Sequence, residues 1–434
     1  MDRSWHVPFL GALVTFFSSS LYRLSGLLFV EIMEEFSVNR EQASWPVNMM
    51  SSGYDMGGLL YGLLSQCLSL LQTAFIGALL TSLGVITSVF VSNIWWMTFT
   101  LGLVHGLGSG TIAVCVQVFV SQHFAVYRGI AHGIVYTGAG VSTFVLPSLI
   151  LLLIRVYNLK GTIFLLGGLL LNLIPLCAFF SHPLTIARAE FHVIDICDNL
   201  NDSADALHRE AKQYGTLGKP TFKSPESKPK LMKMVAELLR TSIFYVLFLS
   251  WLAMYLNLDL ITTTIVDLSR DIGISESKAA TLLSYFSITD VLGRLLIPLI
   301  ADKNLLRRST LSSISLLSAG ILVAALASVK SHAMLVVVVL AMAAAMGCSL
   351  SMFAVLLADY LGLERLSAGY GLCSVIGTPI LLLKPLIIGY FRDTVESYVN
   401  MYRILAGLQI INSCLWFGVL LKERTEFAAT SLRE

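Results

Sequence analysis

The sequence predicts an all-α integral membrane protein with twelve transmembrane helices in two groups of six. Of the 434 residues, 56% are hydrophobic and only 13% charged, about half the charge of an average soluble domain. The apolar residues gather into runs of about 20, the length of helix that crosses a bilayer. Six such runs come first, then a polar interval, then six more.

In chain order the runs are expected near residues 8–30, 45–66, 69–91, 94–120, 129–154 and 161–180, then 242–266, 279–300, 308–328, 332–357, 367–390 and 402–421. The first is too long for the apolar core of a signal peptide and no small-residue cleavage site follows it, so it reads as an uncleaved span. The joints near Cys67 and Asn93 are the shallowest, because hydrophobicity barely dips there. None of the runs alternates, and each is about twice the length of a barrel strand, which argues against a transmembrane β-barrel. The polar interval 181–241 carries Pro220, Pro225 and Pro229 in its second half and reads as a flexible linker with one short helix. The organisation expected is therefore 1–180, a linker at 181–241, 242–421, and a short tail at 422–434.

Charge and motifs exclude several classes. Net charge is +2, from 29 basic and 27 acidic residues, so no bulk field points to nucleic acid. Seven cysteines without CxxC or zinc spacing argue against a disulfide framework or a metal centre. Gly106-Leu107-Gly108-Ser109-Gly110 lacks the GxxxxGK pattern and sits inside a span, so it does not read as a phosphate loop. HExxH, GxSxG and EF-hand patterns are missing as well, and neither an enzyme nor a cofactor is expected. Glycines at four-residue spacing (Gly58, Gly62; Gly102, Gly106, Gly110; Gly129, Gly133) suit close helix packing in lipid. Pro147, Pro298, Pro379 and Pro385 fall within spans, where they bend helices.

Lysines and arginines concentrate on the side of the termini and linker, which the positive-inside rule makes cytosolic. Lys303, Arg307 and Arg308 in a short loop agree, and the acidic stretch Glu31, Glu34, Glu35 and Glu41 takes the opposite side. The sequon at Asn201 then faces the cytosol and should stay unglycosylated.

Charges inside the membrane are costly and mark a pathway by default. They are Arg23, Asp55, Asp259, Asp290, Arg294 and Lys384. Asp290 and Arg294 stand four apart on one helical face, and the guanidinium fork suits a carboxylate. They are either a substrate and proton site or a structural ion pair. Arg23 either adds positive potential to the pathway or snorkels to the outer interface. Lys384, beside Pro385, is expected to face inward with an acidic partner, Asp55 first and Asp290 second. Asp259 lies near the outer end of its span and reads as solvated. His105 and His132 read as hydrogen-bonded packing residues.

Two six-helix halves joined by a long cytosolic loop is the layout of the major facilitator superfamily, in which a central site lies between halves that rock about it. Three stretches resemble one branch of it, the monocarboxylate transporter family. These are Arg128-Gly129-Ile130-Ala131-His132-Gly133 with Gly138 and Gly140, preceded by His123-Phe124; Thr289-Asp290-Val291-Leu292-Gly293-Arg294; and Arg23, where well-known members place a lysine, with Glu31 and Ser44-Trp45 beyond it. The family's first signature survives only as Asp2, Ser4 and Trp5, and the loop from Ser65 to Thr73 carries no charge. Lys384 is an addition to the family's pattern.

The resemblance implies a secondary transporter of small organic anions, monocarboxylates first, by proton-coupled alternating access. Arg294 and Arg23 would bind the anion and Asp290 would exchange the proton. Arginine cannot release a proton as a lysine can, which leaves coupling open. The alternatives are an uncoupled facilitator of aromatic or neutral amino acids and a transport-inactive sensor or scaffold. The resemblance also implies the plasma membrane as location. By analogy with some members it names an accessory single-span glycoprotein as a candidate partner.

Overall fold

The computed structural model describes residues 4–180, 231–274 and 276–431. Most of the expected linker, with Asn201, lies outside them, as do Asp2 and the last residues of the tail. Every regular element described is helical. The first expected span is three pieces, α1 (His6–Ser18), α2 (Ser20–Arg23) and α3 (Ser25–Phe36), with breaks at Ser19 and Leu24. The second is α4 (Arg40–Leu64), 25 residues long. Next come α5 (Leu70–Ser88), then α6 (Ile94–Met97) running through a π-helical turn (Thr98–Val104) into α7 (His105–His123).

The fifth and sixth spans meet almost without a loop. α8 (Arg128–Leu170) contains one non-helical residue, Asn158 at φ 57° and ψ 178°. Asparagine is among the few side chains that tolerate positive φ. α9 (Leu173–Cys177) completes this part.

Beyond the linker, α10 (Leu231–Arg240) buries Met234 and Leu238, and its Glu237 forms a 2.9 Å ion pair with Arg365. It is the short helix anticipated. α11 (Ser242–Asp271) follows unbroken. α12 (Glu276–Leu296) and α13 (Leu299–Asp302) are separated at Pro298. Then come α14 (Arg308–Leu326), α15 (His332–Leu361), α16 (Leu366–Leu381) and α17 (Lys384–Gly389), a π-helical turn (Tyr390–Thr394), and α18 (Val399–Ser431).

Ten helical stretches of at least 18 residues are apolar enough to cross a membrane among the described residues. α1 to α3 are individually too short for that set, and α4 is long enough but too rich in Ser, Gly, Asn and Asp.

Capping explains the shallow joints. Near Cys67 the chain turns because Ser69 and Gln72 form a capping box at the start of α5, which satisfies backbone N–H groups that lipid would leave bare. Near Asn93 the Asn93 side chain accepts from the Trp95 N–H at 3.0 Å.

Two seams join the N-terminal and C-terminal helices. α8 packs on α12, α13 and α15, and α4 packs on α16. Of the glycines at four-residue spacing, Gly58, Gly62, Gly129 and Gly133 lie at these seams, and Gly102, Gly106 and Gly110 lie between α4 and the helix run from α6 to α7. Gly58 faces Ser374 and Tyr370, and Gly106 and Gly110 face the α4 backbone at Met50 and Tyr54.

Candidate functional site

Asp290 and Arg294 are both buried, at 6% and 1% exposure. The helical i, i+4 spacing places them side by side, and the fork closes on the carboxylate. Arg294 Nε–H donates to Asp290 Oδ1 at 3.0 Å, and Arg294 Nη2 lies 2.5 Å from Oδ2. Arg294 Nη1 also donates to the Tyr136 carbonyl at 3.4 Å, and its guanidinium lies 5.5 Å from the centre of the Tyr136 ring. Two glycines let neighbouring helices close on the pair. A Cβ at Gly133 of α8 would stand 2.1 Å from the Arg294 carbonyl oxygen, and one at Gly347 of α15 would stand 2.3 Å from that of Asp290. The pair is thus sealed into the seam between α8, α12 and α15.

The partner expected for Lys384 is corrected. Its Nζ forms an ion pair with Asp259 of α11, neither with Asp55 nor with Asp290. Asp259 is therefore not simply solvated, and the pair is about four-fifths buried, at 17% and 21% side-chain exposure. Position relative to the end of a span misled here. An aspartate near the outer end of a helix looks wet in sequence, but α17 begins opposite it. Lys384 is the first residue of α17 after a break at Leu382 and Leu383, where Pro385 cannot donate a backbone hydrogen bond. Asp55 stands across the gap on α4, within electrostatic reach of both Lys384 and Asp259.

Tyrosines connect the two charged sets. Tyr22 and Tyr54 stack with centroids 5.0 Å apart and planes 6° from parallel. Tyr255 is within electrostatic reach of both, of Tyr136 and of Asp55. Arg23 ends α2 one residue beyond Tyr22, and its side chain lies outside the described residues. The sequence reading did not single these rings out, because a tyrosine at a helical face position has no charge to mark it.

His105 and His132 are fully buried and hydrogen-bonded. His105 Nδ1–H donates to the Thr81 carbonyl at 3.0 Å. His132 contacts the Gln117 side-chain oxygen through Nδ1 at 2.5 Å and Ser121 Oγ through Nε2 at 3.0 Å.

A further cluster binds the two parts at the end of the bundle that carries Arg128. Asp302 accepts from the backbone N–H groups of Gly129 at 3.2 Å and Ile130 at 2.8 Å, a carboxylate capping the positive end of α8. Arg308 donates to the carbonyls of Ala125 and Val126, each at 2.7 Å, and to Asp359 at 2.9 Å. Arg128 forms a second ion pair with Asp359. Arg128 and Arg308 stood out in the sequence, but Asp359 did not, because its position near a helix end gave no sign of a partner. The corresponding seam between α4 and α16 has glycines, serine and tyrosine instead of charges.

The comparisons agree with this geometry. Residues 9–258 and 243–432 match the family model of the Major Facilitator Superfamily. Monocarboxylate transporter 12 of Mus musculus is 24% identical over 410 residues, covering 94% of this chain and 83% of the relative. Monocarboxylate transporter 9 of Mus musculus is 23% identical over 434 residues, covering 86% of this chain and 84% of the relative. The crystal structure of the fucose:proton symporter of E. coli superposes with a TM-score of 0.68 at 13% identity, covering 95% of this chain and 99% of that one. A chain with this helical membrane architecture and these relatives is a transporter and not an enzyme. It belongs to the Major Facilitator Superfamily, as a divergent relative of the monocarboxylate transporters.

Proposed function

We propose that the protein carries small monocarboxylates together with protons by alternating access. The observation that carries this reading is the forked Asp290–Arg294 pair, buried where the two parts of the chain meet. A substrate carboxylate gains the Arg294 fork only by displacing Asp290. The displaced aspartate, left in a low-dielectric seam, is then neutralised by a proton, because an unpaired buried carboxylate costs several kcal/mol. Anion and proton therefore enter together. Arg23 supplies positive potential from the N-terminal helices. The organisation is 1–180 and 242–421 as the two rocking halves, joined by the linker 181–241, with 422–434 as tail. Positive-inside placement puts the linker and termini in the cytosol, and the likeness to the monocarboxylate transporters supports the plasma membrane as location. The cluster of Arg128, Asp302, Arg308 and Asp359 then closes the cytosolic end.

The test uses purified protein in vesicles with pyruvate, lactate and phenylpyruvate, measuring gradient-driven uptake beside exchange. Asp290→Asn is expected to lose net accumulation while retaining exchange. Arg294→Lys keeps the charge without the fork and is expected to raise KM more than tenfold with little loss of maximal rate. Gradient-driven accumulation at the wild-type level by Asp290→Asn would remove it from coupling. The tyrosine cluster favours one second reading, an uncoupled facilitator of aromatic amino acids. Tyrosine uptake indifferent to the proton gradient would support it.

A further inference from the structure

His132 does more than fill space, because one stretch of α7 engages both of its ring nitrogens. Nδ1–H donates to the Gln117 side-chain oxygen at 2.5 Å, and Nε2 accepts from the Ser121 hydroxyl at 3.0 Å. Only one neutral tautomer satisfies both contacts, since a carbonyl oxygen cannot donate to Nδ1. His132, Gln117 and Ser121 are 0%, 5% and 1% exposed, so bulk water does not compete for these bonds. The ring faces α7 and not the anion site. The next residue, Gly133, is the one that abuts Arg294.

One turn earlier on α8, Arg128 is held by the same end of α7. Its Nε–H donates to the Phe124 carbonyl at 2.9 Å, and its Nη2 donates to the Ser121 carbonyl at 3.2 Å. Both carbonyls stand at the negative end of that helix. They turn the guanidinium so that Nη1 meets Asp359 of α15 across the seam. Ser121 therefore serves two contacts, its hydroxyl on His132 and its carbonyl on Arg128. The joint between α7 and α8 also carries the Ala125 and Val126 carbonyls that Arg308 takes.

We propose that His132 is a positioning residue for closure of the Arg128 end: by locking the last turn of α7 to α8, it aims Arg128 at Asp359. Without the imidazole the Ser121 turn is free to shift along α8. The guanidinium then loses a fixed acceptor, and the bridge across the seam weakens while each part keeps its own fold. The consequence falls on the balance between open and closed at that end. It rests on the alternating access of the proposed function, and on neither the substrate nor the proton.

The experiment uses the full-length protein in vesicles, with Met352→Cys as reporter. Met352 is fully buried on α15, against Gly129 of α8, so a maleimide reaches a cysteine there only when this seam opens. The alkylation rate, read by mass spectrometry of that peptide, follows the open population when opening and closing are fast. His132→Leu is expected to speed alkylation about fivefold, the worth of about one net hydrogen bond. Asp359→Ala removes the bridge and should speed it by more. In the Asp359→Ala background His132→Leu should add less than about twofold, because Arg128 has lost its target. His132→Gln, which keeps an acceptor for the Ser121 hydroxyl, should stay within about twofold of the parent. An unchanged rate in His132→Leu overturns the inference. So does the same increase with and without Asp359, which is what a merely structural role produces. An Asp359→Ala rate equal to the parent's overturns it at the root, whereas monocarboxylate transport is judged separately by the uptake assay. Should His132→Leu fail to fold, Ser121→Ala removes one of the two bonds with little change of volume and decides in the same way.

Discussion

Arg308 is the residue whose loss should most directly unbalance the two transport states. Its Nη2 donates to two carbonyls of the N-terminal part, Ala125 and Val126, both at 2.7 Å, while Nη1 holds Asp359. Hydrogen bonds to a charged donor contribute about 1.5 to 3 kcal/mol each. The side chain is 22% exposed, and solvent screening brings the two cross-boundary bonds to about 2 kcal/mol together. These bonds exist only while the Arg128 end is closed. Arg308→Ala should therefore raise the ratio of open to closed at that end about 30-fold, by the rule of about 1.4 kcal/mol per factor of ten.

The assay is the distance distribution between two spin labels. One sits on Cys67, exposed in the joint between α4 and α5, and the other on Leu305→Cys, which is 70% exposed, with other cysteines removed. The expected result is a longer-distance population that grows in Arg308→Ala. Lys303→Ala, in the same loop, should leave the distribution alone. An Arg308→Ala distribution matching the parent would refute the claim that this cluster sets the balance.

Other outcomes can be checked on purified protein. Lys384→Ala strands Asp259, so adding Asp259→Asn should recover thermal stability, with a coupling of about 1 kcal/mol or more in a double-mutant cycle; additivity would contradict the pairing. Gly133→Ala drives a methyl into the Arg294 carbonyl and should cost about 1 to 3 kcal/mol, read as a lower melting temperature in detergent. Asn158→Gly should be tolerated and Asn158→Val should destabilise by about 1 kcal/mol or more, since φ is 57° there.

The helices were legible because runs of about 20 apolar residues leave the chain no other way to satisfy its backbone in lipid. Breaks were less so. Pro298 and Pro385 marked two interruptions, but those at Ser19 and Leu24 carry no proline. The capping box of Ser69 and Gln72 was present in the sequence and would have fixed the joint that hydropathy blurred. The Asp290–Arg294 contact followed from spacing on one helix. The Lys384–Asp259 contact did not, because its residues are 125 positions apart and only the packing of α17 against α11 brings them together. Arg23 was singled out by its charge and by its match to the family's pattern, and its role stays with the proposal.

The unequal seams have a consequence for how the molecule answers its surroundings. One seam is fastened by exposed and half-exposed charges around Arg308 and Asp359, the other by uncharged small residues and tyrosine between α4 and α16. Mobile ions weaken the first, since the Debye length shrinks from about 10 Å at 0.1 M to about 3 Å at 1 M, and they barely touch the second. The resting balance of the carrier is therefore tuned by the ionic strength on one face only. With the Arg128 end in the vesicle lumen, as in the proposed orientation, a salt jump inside should favour the opposite state, while the same jump outside leaves it in place.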